Sequence, residues 1–372
     1  MRLYLAIMVA FLALESPSWA LEAGLVPTYQ NDSLLGPEKA KGVIIYNHGQ
    51  ARLADPETSP PPYLSKFPAD GWDVYSLIRP KAEDRESTSV ESLKDTARHL
   101  RQMGYKKVVT LGQSFGGWIS IEAAAQQEEL FDAVIVTAPA AHGSSEDSTR
   151  NPLNWQRNAE IVEIAKGLRH LPLILFLFKD DSYDPGGRGP GFVDHLAKRQ
   201  DGSRYAVIDQ PEGFEGHGAA RSLLFSQRFG DCITAFADSQ QASGPYLCPE
   251  AATQRTLRLP DGVTAFAAPS PDDGLNRLLG VWSGWYQNGR ELLFAIESVS
   301  GDQVTAIYAW GPSGGGTAGW ERVTGHYDST GIRFDSAKKQ LHVMALPDGQ
   351  VKIRWSRPDG SSVLTAFLAR RE

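Results

Sequence analysis

The sequence predicts an α/β fold, a doubly wound and mostly parallel sheet, followed by a smaller all-β domain closing as an up-and-down barrel. Three observations carry that prediction. Between Gly42 and about Ala237, short apolar runs alternate with longer helical patterns, as the strands and crossover helices of a parallel sheet do. From Ala251 to Asp273 the pattern fades into Pro, Ala, Asp and Ser, the composition of a linker. Beyond it, eight short apolar segments follow one another with no helix of useful length between them.

The elements follow in order. Candidate parallel strands are Val43–Asn47, Asp73–Ile78, Lys107–Leu111, Ala133–Thr137, Leu173–Phe178 and Tyr205–Asp209. They are rich in Val, Ile and Phe and apolar on both faces, as buried parallel strands must be. Candidate helices are Ser89–Met103, which stops at Gly104, then Ala-rich Phe115–Gln127, Leu153–Leu168, Gly191–Arg199 and one from about Gly218. In the second domain the expected strands are Val281–Gln287, Leu292–Ser298, Val304–Trp310, Trp320–Tyr327, Ile332–Asp335, Leu341–Leu346, Val351–Trp355 and Val363–Ala369. Turn pairs such as Asn288-Gly289, Gly301-Asp302, Asp348-Gly349 and Asp359-Gly360 separate them. Val351, Ile353 and Trp355 alternate with Lys352, Arg354 and Ser356, the pattern of a half-buried strand.

The first residues read as an export signal. Arg2 precedes an apolar run from Leu3 to Leu14, and Ser18-Trp19-Ala20 is a small-x-small cleavage site. The run falls short of the roughly 20 residues that span a membrane, so cleavage after Ala20 and a secreted or periplasmic protein are expected. The domain plan is then a signal peptide over 1–20, a catalytic domain over 21–250, a linker over 251–274 and the β domain over 275–372. A hydrophobic content of 41% suffices for two cores, and the net charge of −7 argues against a nucleic-acid partner. The two cysteines, Cys232 and Cys248, are expected to form a disulfide in an exported chain. Closing a loop of that size stabilises by about 3 kcal/mol.

The chemistry centres on Gly112-Gln113-Ser114-Phe115-Gly116-Gly117, a G-x-S-x-G pattern. Chance alone gives roughly 0.2 such matches in a chain of this composition, so context decides. A nucleophile on a sharp turn needs a strand before it and a helix after it. Ser114 has both, whereas Ser313, in Gly311-Pro312-Ser313-Gly314-Gly315, runs into a third glycine and is rejected. A serine hydroxyl needs a base within reach. His217, flanked by Gly216 and Gly218 after the last parallel strand, is the candidate; His48, His142, His170 and His195 compete. The base needs an acid to fix its tautomer. Asp181 is the first choice among Asp180, Asp181 and Asp184, which all follow one strand. No metal-ligand cluster or cofactor motif accompanies them, so no metal and no cofactor are expected.

On these residues the region from Gly42 to Ala237 resembles the α/β-hydrolase superfamily, and within it the dienelactone-hydrolase-like branch. The resemblance rests on His48-Gly49, the Gly112–Gly117 turn, Asp181-Ser182-Tyr183 and Gly216-His217-Gly218. It implies Asp181 as the acid, through the Asp-Ser-Tyr string. It also implies an oxyanion hole made by the backbone N–H groups of Gln50 and Phe115, each worth about 3 kcal/mol of transition-state stabilisation, with His48 bracing its loop. Two departures matter. The family's best-known members use a cysteine where this chain has Ser114, which favours ester hydrolysis. No large cap is inserted; only Ala140–Asn151 is long enough for a small lid, which weighs against long-chain lipase activity. In the second domain, Leu279-Gly280-Val281-Trp282 is similar to the Gly-x-Trp that opens lipocalin-like barrels.

The expected activity is cleavage of a small-molecule carboxylic ester through an acyl-enzyme on Ser114. Two rivals stay open: a peptidase or amidase with the same three residues, and a non-catalytic binding protein whose β domain captures a ligand or cell-envelope component. Trp282, Trp285, Trp310, Trp320 and Trp355 are either the lining of such a site or ordinary barrel core.

Overall fold

Strand β2 (Val43–Asn47) shows how the first half is built. Val43 and Ile45 turn into one core, and Ile44 and Tyr46 into a second on the opposite face. A strand buried on both sides needs helices on both sides. The computed structural model describes residues 24–371, apart from 30–33, 51–59, 80–83, 142–150, 185–186, 200–202, 240, 242, 249–256, 268–271, 287, 289, 313–316, 347–348 and 361. The expected signal peptide, the centre of the Ala140–Asn151 segment, His142 and Ser313 lie outside the described residues.

The sheet has seven strands: β1 (Leu25–Pro27), β2, β3 (Asp73–Leu77), β4 (Val108–Gln113), β5 (Ala133–Thr137), β6 (Leu173–Leu177) and β7 (Tyr205–Asp209), in the order β1-β3-β2-β4-β5-β6-β7. All pairs are parallel except β1 with β3. The edge strand β1 was not anticipated, because three residues carry no periodicity. Helix α1 (Lys66–Ala69) and helix α6 (Leu223–Asp238) cover one face; α2 (Glu86–Gln102), α3 (Phe115–Gln126), α4 (Asn151–Ile164) and α5 (Gly189–Ala197) cover the other. Helix α2 begins three residues before its expected start, and α4 ends in a 3₁₀ turn over Ala165–Gly167. Helix α6 starts at Leu223 because Ser222 caps it, its hydroxyl accepting from Phe225 N at 3.2 Å. Cys232 on α6 is disulfide-bonded to Cys248, with Cα atoms 5.5 Å apart.

The second half closes into an eight-stranded antiparallel barrel: β8 (Val281–Tyr286), β9 (Glu291–Ser300), β10 (Gln303–Trp310), β11 (Gly319–Asp328), β12 (Gly331–Asp335), β13 (Gln340–Ala345), β14 (Val351–Ser356) and β15 (Val363–Arg370). Each strand pairs with the next, and β15 pairs with β8 to remove the edges. Its interior is filled by side chains such as Phe294, Ile296, Val343 and Ile353. A short helix, α7 (Asp273–Asn276), begins at the end of the expected linker; Asp272 caps it, and Leu275 and Leu278 join the barrel core. Leu257, from the same stretch, packs outside the barrel against Leu293 and Ala309. The barrel docks on the α6 side of the sheet: Phe367 and Leu346 belong to that core, and the Tyr29 and Phe367 rings meet at 6.0 Å.

Candidate active site

The sharpest backbone feature follows β4. Ser114 has φ 55° and ψ −123°, a conformation that side chains rarely adopt, and α3 starts at the next residue. The turn is possible because its neighbours lack side chains. A Cβ on Gly112 would sit 2.2 Å from Gly116 O, and one on Gly116 would sit 2.0 Å from Asn47 O. Ser114 N donates to Thr137 O at 3.1 Å, and Ser114 O accepts from Ala140 N at 3.0 Å, which ties the turn to the neighbouring strand. This is the strand–turn–helix arrangement that the α/β-hydrolase fold places at the carboxyl edge of its sheet.

Two loops deliver partners to that serine. His217 Nε2 lies 2.7 Å from Ser114 Oγ, across 103 residues of sequence. His217 Nδ1 lies 3.0 Å from both carboxyl oxygens of Asp181, which is buried beyond β6. The Nδ1–H donates to that carboxylate, leaving Nε2 as an acceptor for the serine hydroxyl. The loops are joined to each other: Lys179 forms a parallel bridge with Glu215, and Gly216 N donates to Lys179 O at 2.7 Å. Asp181 Oδ1 also accepts from Tyr183 N at 2.8 Å, and the Tyr183 ring lies on the His217 ring with centroids 4.1 Å apart.

The competing residues have other partners. Asp184 forms a buried ion pair with Arg188 at 3.0 Å, and Asp180 turns to the surface near Lys179. His195 lies on α5, and the His170 backbone N–H donates to Glu128 Oε1 at 3.0 Å. His48 is buried beside the site; burial and the Arg79 charge push its pKa down to about 4, so it is neutral near pH 7. Phe115 opens α3, and Gln50 follows the His48-Gly49 loop; among the described residues neither backbone N–H has a protein acceptor.

Some residues at this edge escaped the sequence reading. Asn47 Nδ2 donates to Thr110 Oγ1 at 3.0 Å and to Ser120 Oγ at 3.2 Å, which fixes the end of β2 to β4 and α3. Arg79 and Asp84 form a 2.7 Å ion pair with both side chains only 2% exposed. Their one signal was Arg79's place directly after an apolar strand, at the same edge.

The five tryptophans do not share a surface. Trp282 is barrel core, donating to Leu278 O at 2.8 Å; Trp285 faces the sheet half, with Lys66 Nζ 5.3 Å from its ring; Trp320 is exposed. Trp310 and Trp355 are partly buried against the barrel core. Among the described residues no group of three or more His, Cys, Asp and Glu side chains could hold a metal ion, and no helix is long and apolar enough to cross a membrane.

No family model matches the chain, and no curated protein matches it in sequence. Solved structures do match. Est1E from Butyrivibrio proteoclasticus, with ferulic acid bound, is 14% identical over 59% of this chain and 94% of its own, at a TM-score of 0.41. An acetyl ester-xyloside bifunctional hydrolase from Caldicellulosiruptor lactoaceticus is 16% identical over 59% and 89%, at 0.42. A monoacylglycerol lipase of Paleococcus ferrophilus is 14% identical over 53% and 96%, at 0.37.

Proposed function

We propose that the protein is an exported serine hydrolase that cleaves carboxylic esters. The observation that supports this most is the continuous chain from Ser114 Oγ through His217 to Asp181, with contacts of 2.7 and 3.0 Å, at a strained turn. Strain at a buried edge persists only where surrounding structure enforces it.

In this reading Ser114 Oγ attacks the ester carbonyl carbon while His217 Nε2 takes its proton. Asp181 orients the imidazole and stabilises the imidazolium. The Gln50 and Phe115 N–H groups hold the oxyanion. Collapse of the tetrahedral intermediate expels the alcohol, which leaves with the proton from His217, and the acyl group stays on Ser114 Oγ. A water molecule then gives its proton to His217 and attacks the acyl carbon. The carboxylic acid departs, and His217 returns the proton to Ser114. The sheet half belongs, in this reading, to the dienelactone-hydrolase-like branch. The terminal apolar run together with the Cys232–Cys248 disulfide supports export to an oxidising compartment.

The test is hydrolysis of a panel of 4-nitrophenyl esters beside the matching 4-nitroanilides. Esters should turn over far faster than anilides. Asp181→Asn should cost about 10⁴-fold in kcat by leaving His217 in the wrong tautomer. Unchanged ester turnover in Asp181→Asn would overturn the assignment.

A further inference from the structure

The ion pair between Arg79 and Asp84 lies at the same sheet edge and takes no part in the proton path. Arg79 stands two residues beyond β3, alongside the His48-Gly49 loop that ends β2. Its Nε donates to Asp84 Oδ1 at 2.7 Å, and that oxygen also accepts from Ser89 Oγ at 3.1 Å. Its Nη2 donates to His48 O at 2.5 Å and to Gly49 O at 3.2 Å. The Arg79 backbone N–H donates to His48 Nε2 at 3.3 Å, and His48 Nδ1 lies 2.6 Å from Gly49 O. The guanidinium carbon sits 5.4 Å from the centre of the Phe115 ring.

Burying two opposite charges is expensive, and apolar residues of similar volume would serve stability as well. What the charge achieves here is to fix two consecutive carbonyls. A trans peptide is planar, so its C=O and the following N–H point in opposite directions. Gly49 O is drawn toward Arg79 and His48, which turns the Gln50 N–H the other way. The same loop borders the nucleophile: a Cβ on Gly49 would lie 3.3 Å from Ser114 Cβ and 2.9 Å from Gln113 Oε1.

We propose that Arg79, held by Asp84, is a positioning residue: by clamping the His48 and Gly49 carbonyls it aims the Gln50 N–H at the oxyanion formed on Ser114. The proposal rests on the serine-hydrolase reading above. Arg79 acts through the loop and touches no reacting atom. Because an oxyanion donor works on the transition state more than on the bound ester, its misdirection should appear in kcat.

The experiment compares wild type, Ser114→Ala, Arg79→Lys and Arg79→Ala on a 4-nitrophenyl ester, with thermal melts of each. Arg79→Ala should lose about 100-fold or more in kcat, with KM within about threefold. Added guanidinium at a sub-denaturing concentration should recover at least about tenfold of that loss, and Arg79→Lys should fall between the two. Unchanged kcat in Arg79→Ala, or a loss that guanidinium does not recover, would overturn the proposal while Ser114-dependent turnover of the wild type keeps the hydrolase reading. A wild type with no Ser114-dependent turnover would overturn both. If Arg79→Ala does not fold, Arg79→Lys decides: wild-type kcat overturns the proposal, and a kcat loss at unchanged KM and melting temperature supports it.

Discussion

The carboxyl edge of the parallel sheet and the barrel solve their turns differently. Among the described residues four non-glycine residues have positive φ: Ser114 at 55°, Ala138 at 46°, Asp180 at 55° and Gln210 at 51°. They follow β4, β5, β6 and β7 in turn, the next residue after β4, β5 and β7 and the third after β6, all along one edge. In the barrel, positive φ falls on Gly280, Gly301, Gly331, Gly349 and Gly360, which adopt it at little cost. The polar groups divide less sharply. Asn47, His48, Arg79, Asp84, Gln113 and Asp181 are buried at or near the sheet edge. The barrel core is lined mainly by apolar side chains, with the paired Tyr286 and Tyr308 hydroxyls 3.0 Å apart and Lys339 Nζ 4.5 Å from the Tyr308 ring, and Glu291 is buried beside Arg371. The non-glycine residues with positive φ, and the most deeply buried ion pairs, Arg79–Asp84 and Arg188–Asp184, lie in the sheet half. Such costs collect where geometry is needed for something besides stability.

Two substitutions sharpen that contrast. Ser114→Gly should have the larger effect, losing at least about 10⁴-fold in ester turnover. The same change should raise unfolding free energy by about 1 kcal/mol, because glycine relieves the strained φ. Denaturant titration reads this, and a loss of stability would break the contrast. Gly331→Ala should do the reverse. Its φ is +123°, and a Cβ there would lie 2.2 Å from Val343 O. It should cost about 2–4 kcal/mol of barrel stability and leave ester turnover of the folded enzyme unchanged. A kcat change matching that of Ser114→Gly would show that the barrel does more than close.

Both sheets were legible because burial on two faces and burial on one face leave different sequence periods. Val43–Asn47 reads as a continuous apolar run, and Val351–Trp355 alternates. The turn at Ser114 was legible because its close approaches demand glycine at fixed offsets. The bridge from Lys179 to Glu215, which joins the loops bearing Asp181 and His217, was not: it is a backbone contact with no residue preference. Neither was the pairing of Arg79 with Asp84, since charged residues default to the surface and nothing local marks a buried pair. The stretch from Ala251 to Asp273 reads as a linker, and its contacts with the barrel were not legible. Its composition is that of a linker, yet Leu257 supplies enough apolar surface to pack on the barrel wall, and Asp272 caps a short helix just beyond it.

The central claim is that Ser114 is an activated nucleophile at the strained edge of the sheet. Labelling the folded protein with a fluorophosphonate probe, followed by peptide mapping and a Ser114→Ala control, tests it most directly. The account predicts one adduct, on Ser114, that disappears in the control. Folded protein that takes up no label, or a label that persists in Ser114→Ala, would contradict it.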